Sequence, residues 1–401
     1  MSAAARRILL ISVVFGLVAI LAVVFSLLNG TAEKPRSQPD TSQVNLSVEA
    51  SAAWPIFRGN RNLRGLAQGQ LADSLTLKWK FKTAGPIKSS PVIADGLVFV
   101  GSADGRIYAV ELNTGQEVWT YQAEDSVEAP PCVVDGTVFA GSVDGFLYAL
   151  HARDGSLKWK YQTGGKIHGS ATWLPAKDSH GPRILAGSYD FSLHCVDAAT
   201  GQALWTYQTE NYVNCSIALA DGKAILGGCD GRIHVVNTDD GYGHITIDAE
   251  SYVAASAALR DGFAYLGTYE GLFLCADIDT GQIPWKYEGA KQPILSSPAV
   301  GNDVVVFGAR DNRLHCLNRK TGKPIWTFLS RGEIDSSPVI CSGKVLVGSA
   351  DGRLYLLNLS DGKELWSYQI GAPIVSSPAV VQGIVVIGCD DGYLYAFGPE
   401  S

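Results

Sequence analysis

From Leu77 onward the chain alternates apolar and polar residues in short runs, and the runs are parted by Asp-Gly or Thr-Gly pairs. Period-two alternation buries one face of a strand and wets the other, and a Gly behind Asp or Thr supplies the backbone that a tight hairpin needs. In the stretch that begins at Ile87 four strands are predicted, Ile87–Ile93, Leu97–Gly101, Arg106–Leu112 and Glu117–Tyr121, joined by Asp95-Gly96, Asp104-Gly105 and Thr114-Gly115. The same pattern returns along nearly the whole chain. Its beat is marked by Trp79, Trp119, Trp159, Trp205, Trp285, Trp326 and Trp366, at steps of 40, 40, 46, 80, 41 and 40 residues. Ile245 fills the double step, standing where the missing Trp would be. A helical repeat would show apolar residues at three- and four-residue steps and few internal glycines, whereas this chain carries 44 Gly and one Met.

Four antiparallel strands in a unit of about 40 residues make a propeller blade. The last unit, Ile374–Phe397, stops after three strands and lacks its Trp strand. The segment Leu77–Thr83 precedes the first full unit and nearly duplicates Leu157–Thr163, so it reads as an outer strand without a blade of its own. Pairing the two closes the ring and leaves no open inner seam. The fold predicted is therefore all-β, an eight-bladed β-propeller of four-stranded antiparallel blades, its last blade closed by the N-terminal strand around Trp79. Each Trp falls on an outermost strand, where wedge-shaped blades diverge and a large ring fills the gap.

The N-terminal part reads differently. Ile8–Leu28 is an uninterrupted run of apolar or small residues behind Arg6 and Arg7, long enough to cross a bilayer as one transmembrane helix. It serves either as a signal-anchor, residues 1–29, or as a signal cut near Gly30-Thr-Ala32. Arg6 and Arg7 would hold the N-terminus inside, placing the propeller outside the cytoplasm, periplasmic or extracellular. Residues 30–53 are polar enough to be a flexible tether. Residues 54–76 are set apart by Trp54-Pro-Ile-Phe-Arg-Gly59, whose aromatics imply a lead-in packed on the ring, over one mouth of its channel; the ring itself occupies 77–401. The formal charge is −7, with no cluster of Lys and Arg, which argues against a nucleic-acid partner.

Candidate chemistry is sparse. The eight cysteines show no CxxC and no adjacent pair, and Cys195, Cys275 and Cys316 occupy a slot held elsewhere by Ala109, Ala149 and Ala396, so they read as buried small residues. An acid recurs before each second turn, as at Asp104, Asp144, Asp351 and Asp391, and reads as a turn cap rather than a metal ring. His194, His234 and His315 take the slot of Tyr108 and Tyr355 and read as packing rings. The informative column lies at the start of the innermost strand, where most units read Ile/Val-x-Ser/Ala-Ser-Pro and x varies. Alignment puts Lys88, Glu128, His168, Asn214 and Asp335 around one channel mouth, with Ala254, Leu295 and Val375 in the remaining units. Tyr212, Tyr252 and Arg331 lie in the loops just before, beside Lys291 and Glu333. These residues form the candidate binding surface, and no catalytic, metal-binding or cofactor-binding residue is assigned.

At Ala198–Trp205, Asp277–Trp285 and Asn318–Trp326 the pattern resembles the tryptophan-docking repeat of pyrroloquinoline quinone proteins, the quinoprotein-like propellers. The resemblance covers Leu77–Phe397 and implies an eight-bladed ring. That family holds both dehydrogenases and cofactor-free scaffolds. The dehydrogenases carry a vicinal Cys-Cys pair and inserted calcium ligands; this chain has no Cys-Cys and near-minimal blades, so neither the quinone nor calcium is expected. The resemblance is nearer to the cofactor-free, BamB-like scaffold branch, although that branch carries a lipid-acceptor Cys after its signal and the first Cys here is Cys132. Trp54–Gly59 also resembles a lead-in seen before such repeats in bacterial envelope proteins. The implied role is a membrane-tethered scaffold binding another cell-envelope protein, with outer-membrane protein assembly as the implied setting. A quinone-dependent oxidoreductase and a small-ligand sensor at the channel mouth are the alternatives.

Overall fold

The computed structural model describes residues 53–177 and 181–400; the predicted transmembrane run at 8–28 and the tether up to residue 52 lie outside them. Among the described residues eight four-stranded antiparallel sheets form the blades of a propeller, and no helix is long and apolar enough to cross a membrane. Blade one is Val92–Ala94, Leu97–Gly101, Arg106–Glu111 and Glu117–Gln122, ordered from the channel outward. Blades two to seven repeat that order, over 132–162, 172–208, 218–248, 258–287, 299–329 and 339–369. Blade eight supplies three strands within 379–398, and its outer strand is Thr76–Lys82, antiparallel to Tyr393–Gly398 with Trp79 opposite Ala396. The ring closes as its sequence pattern requires.

One boundary differs. The innermost strand of blade one, expected over Ile87–Ile93, is only Val92–Ala94. Pro91, and Pro131, Pro298, Pro338 and Pro378 in its place elsewhere, have no N–H to give a ladder. The residues before them are held sideways by a belt of serines instead. The amides of Ser170, Ser216 and Ser256 donate to the hydroxyls of Ser216, Ser256 and Ser297 in the next blade, at 2.9, 2.9 and 3.0 Å. Ser297, Ser337 and Ser377 continue the belt to Ser337, Ser377 and Ser90, at 3.0, 3.0 and 2.9 Å. In blade two the place is taken by Pro130, which cannot donate.

The rim is held by the tryptophans. Every one of these indoles except Trp366 lies over the Gly of the next blade's third turn; a Cβ on Gly155, at φ +71, would stand 2.6 Å from the Trp119 ring. In five of them the indole N–H donates to a carbonyl of that blade, as Trp79 does to Leu112 (2.8 Å), Trp119 to Ala152 (2.9 Å) and Trp326 to Leu359 (2.9 Å). Five of the eight recurring acids are staples between blades, each accepting from an amide of the loop that leads in from the blade before. Asp104 Oδ1 accepts from the Arg106 amide, while Oδ2 accepts from the Ala84 amide and the Tyr108 hydroxyl, at 2.9, 2.9 and 2.7 Å. Where His replaces Tyr the staple lengthens: His194 Nε2 lies 2.9 Å from Asp190 Oδ2 and its Nδ1 3.0 Å from the Tyr161 hydroxyl. Burial pushes the His194 and His234 imidazoles down, against the pull of Asp190 and Asp230.

The lead-in runs across one end of the channel, pairing through main-chain groups with one blade after another. Trp54 exchanges both bonds with Ile93, at 2.7 and 2.8 Å. The carbonyls of Pro55, Arg61, Asn62, Arg64 and Gly65 accept from the amides of Val133, Leu219, Leu259, Val300 and Ile340. Leu66–Ala67 then adds a parallel strand to blade seven. These contacts satisfy inner-strand edges that would otherwise face the channel. Trp54, Ile56, Phe57 and Leu63 are buried beneath the segment. Arg58 is buried too, donating to the carbonyls of Ser337 (3.0 Å), Pro298 (3.1 Å) and Pro338. Burial pushes its guanidinium down to about 9, so it remains a cation at neutral pH, held by dipoles rather than by a carboxylate.

Candidate functional site

The opposite mouth is built from the residues just before the serine belt. In every blade the residue preceding x is buried: Ile87, Val127, Ile167 and Val213 in blades one to four, and Val253, Ile294, Ile334 and Ile374 in the rest. The x residue is partly or fully exposed in each case, from Lys88 to Val375. An apolar residue turned into the blade forces its neighbour toward the channel, because successive side chains along an extended chain point to opposite sides.

Lys88, Glu128 and His168 come together across blades one to three. Lys88 Nζ lies 3.3 Å from Glu128 Oε1, and His168 Nδ1 lies 3.6 Å from Glu128 Oε2, an ion-pair separation too long for a hydrogen bond. Burial pushes the His168 imidazole down, with Glu128 opposing and Lys166 and Lys88 assisting. The His168 ring sits 4.9 Å from Tyr189, which stacks on Tyr212 at 4.4 Å and 22°. Phe191 lies 5.2 Å from Tyr212, and the Asn214 side chain reaches the Tyr189 hydroxyl. Asp390 closes the group on the blade-eight side. Burial pushes its carboxyl up, Lys88 opposes and Glu128 assists, and its Oδ1 is buried without a hydrogen bond, as is Asn214 Oδ1.

Asp335 belongs to a second, separate cluster. Arg310 grips it with two bonds, Nε to Oδ1 at 3.1 Å and Nη2 to Oδ2 at 2.8 Å, and its Nε lies 3.4 Å from Glu333 Oε2. The structure joins Tyr252 and Arg331 to neither cluster: both are exposed, and the contacts of each run through the backbone, Tyr252 O accepting from Tyr269 and the Arg331 amide donating to Asp351.

Tyr189, Arg310 and Asp390 were not legible from the x column alone. They share another, the residue just before the recurring acid, which reads Ala103, Val143, Tyr189, Cys229, Tyr269, Arg310, Ala350 and Asp390. Its amide bonds the carbonyl two residues before x, as Tyr189 does to Lys166 and Asp390 to Pro373. The two variable columns therefore meet in space, and aligning both would have found these residues.

The sequence model of the outer membrane protein assembly factor BamB family matches residues 68–188, 189–309 and 275–401. The chain belongs to that family of quinoprotein-type repeat propellers. Among solved structures it is similar to BamB from Moraxella catarrhalis, at 20% identity over 82% of this chain and 98% of that one, TM-score 0.69. It is also similar to the quinohemoprotein alcohol dehydrogenase of Comamonas testosteroni, at 15% identity over 87% and 82% of the two chains, TM-score 0.74. The computationally designed Ika8 protein matches at 20% identity over 80% of this chain and 99% of that one, TM-score 0.69. No curated protein sequence matches the chain. At these identities the structural likenesses speak for the fold alone.

The fold's quinone and calcium fit this mouth poorly. Glu128 and Asp335 are already held by Lys88 and Arg310, and among the described residues no three His, Cys, Asp or Glu side chains converge as a metal site. The eight cysteines are free and none adjoins another in sequence.

Proposed function

We propose that this protein is an extracytoplasmic scaffold, held to the membrane by residues 8–28, that docks another cell-envelope protein on the mouth face of blades three to five. The observation that carries the reading is a rim of exposed aromatic rings on that face: Phe191 at 37%, Tyr212 at 42%, Tyr269 at 46% and Tyr252 at 58% exposed. Aromatic side chains with a polar tip, set beside a charged cluster, are the residues that anchor protein interfaces. Leu204, Ile325 and Leu365, exposed on outer strands, add edges where an extended segment could pair. Membership of the BamB family supports the envelope setting, with outer-membrane protein assembly as the process served.

The test is capture from detergent-solubilised membranes, comparing the natural chain with the Tyr212→Ala, Tyr252→Ala double variant. Two anchors of about 2 kcal/mol each should lower partner recovery more than tenfold while the melting temperature stays unchanged. Equal recovery by both proteins would remove the mouth face from the reading, and recovery of no specific partner would remove the scaffold. A quinone-dependent oxidoreductase is the second reading, raised by the fold it shares with quinohemoprotein alcohol dehydrogenase and by no residue of the mouth. Calorimetric titration with pyrroloquinoline quinone and calcium discriminates, since tight uptake is required of such an enzyme.

A further inference from the structure

The end of the ring that carries the lead-in holds a cleft of about 410 Å³. Arg61–Arg64 forms one wall, the first turns of blades four and five, Asp221-Gly222 and Asp261-Gly262, form another, and Leu174 and Pro175 of blade three close the third. Its lining includes Arg61, Arg64, Lys177, Arg183, Lys223 and Arg260 against two carboxylates, Asp221 and Asp261. In a chain of net charge −7 such a local excess of cations is not a matter of composition.

Arg183 shows how far the blade departs from its repeat to hold that charge. It is the first residue of its strand, a slot held by Leu97, Val304 and Ile384 in three blades and by the half-buried Lys223 and Lys344 in two, and unlike those lysines it is only 2% exposed. Its Nη1 donates at 2.8 Å to the carbonyl of Thr238. Thr238 stands 33 residues after Trp205, the spacing at which Trp119 and Trp326 find their acceptors. With the carbonyl taken by Arg183, the Trp205 indole N–H is buried without a partner. A repeat that gives up a recurring packing bond to keep a buried cation breaks its own rule, and such breaks mark functional positions.

The guanidiniums are also under-supplied with acceptors. Nε of Arg64, Arg183 and Arg260 are each buried without a hydrogen bond. Burial and the neighbouring Arg260 both push the Arg64 guanidinium down, with only Asp261 opposing. Three of the four nearby carboxylates are committed: Asp261 lies 2.8 Å from Arg319 and 3.6 Å from Arg260, Asp239 pairs with Lys177 and Arg183 at 2.9 and 3.4 Å, and Asp279 pairs with Lys223, which leaves Asp221 as the one acid among the described residues facing the cations without an ion pair. Arg61 lies over the Trp173 ring at 5.4 Å.

We propose that this cleft binds a small oxyanion, its phosphoryl or carboxylate oxygens accepting from Arg64, Arg183 and Arg260. Planar guanidiniums recognise both groups in two-bond fashion, and a buried, unfilled Nε–H gains more from an anion than an exposed one. The cleft is the size of a small molecule and lies at the other end of the inner strands from the aromatic rim, so the inference stands apart from the docking reading.

Isothermal calorimetry in low-salt buffer with inorganic phosphate, pyrophosphate and succinate tests it. Saturable binding of at least one, with a dissociation constant below about 10 mM, is expected. Tighter binding of pyrophosphate assigns a phosphoryl source, and tighter binding of succinate a carboxylate. Arg183→Leu puts in the residue that blade one has at Leu97 and frees Thr238 for Trp205, so its unliganded melting temperature should hold or rise while affinity falls at least tenfold. Arg64→Gln should weaken binding similarly without touching a blade. No saturable binding of any probe, or natural affinity in a folded Arg183→Leu variant, would overturn the proposal.

Discussion

The two ends of the channel share the same eight inner strands, yet one is covered by backbone and the other is lined by side chains. At the lead-in end the inner-strand amides of Val133, Leu219, Leu259, Val300 and Ile340 are taken up by a passing chain. That segment is fixed by what it buries, chiefly Trp54 and Leu63. At the far mouth the serine belt already meets the backbone's needs from blade to blade, so the neighbouring residue is released from structural duty. Where main-chain valences are closed by a recurring group, the adjacent side chains become available for recognition.

Perturbing each end should give opposite results. Removing residues 54–67 exposes the inner edges and loses four buried large side chains, which at about 1.5–3 kcal/mol apiece amounts to roughly 6 kcal/mol or more. The denaturation midpoint should fall sharply, and an unchanged midpoint would make the lead-in ornamental. Trp54→Ala alone should lose ~3–5 kcal/mol by the same measurement. At the far mouth, the pair Lys88→Met and Glu128→Gln should change stability by less than ~1 kcal/mol, since both side chains are partly exposed. A loss as large as that of Trp54→Ala would erase the distinction between the ends.

The smallest effect carries a sign. Burial raises the Asp390 carboxyl above the ordinary range. Between the ordinary and the raised value the folded chain holds more protons than the unfolded one, so this group's contribution falls as pH rises through that window. The cost is fully present at neutral pH. Asp390→Asn should raise stability there by under ~1 kcal/mol, a gain that disappears below about pH 4. Thermal unfolding at both pH values checks this, and a loss at neutral pH would show that the carboxylate is held by a favourable contact.

Strand order, blade number and ring closure were legible because Asp-Gly turns and outer-strand tryptophans recur at fixed spacing. The inner-strand start was not, because a missing amide at Pro91 outweighs the alternation around it. Five of the eight mouth residues read from the sequence, Lys88, Glu128, His168, Tyr212 and Asn214, fall near one another, Asp335 turns to Arg310, and Tyr252 and Arg331 join neither. Tyr189 and Asp390 come from a different turn, and only a second aligned column would expose them. The basic cleft was beyond reach, since half of it depends on where the lead-in docks, and that docking is main-chain bonding with no side-chain signature.

The outer strand of blade eight is made first, and its partner lies some 322 residues further along. Loop-closure entropy grows only logarithmically with separation, so distance is a minor obstacle. Timing is the larger one. A nascent chain emerging N-terminus first carries Thr76–Lys82 unmated until its final strand appears, with Leu77, Trp79 and Phe81 on a bare apolar edge. Until Tyr393–Gly398 has emerged the propeller is an open crescent, and its two free edges invite a holding chaperone or a second crescent.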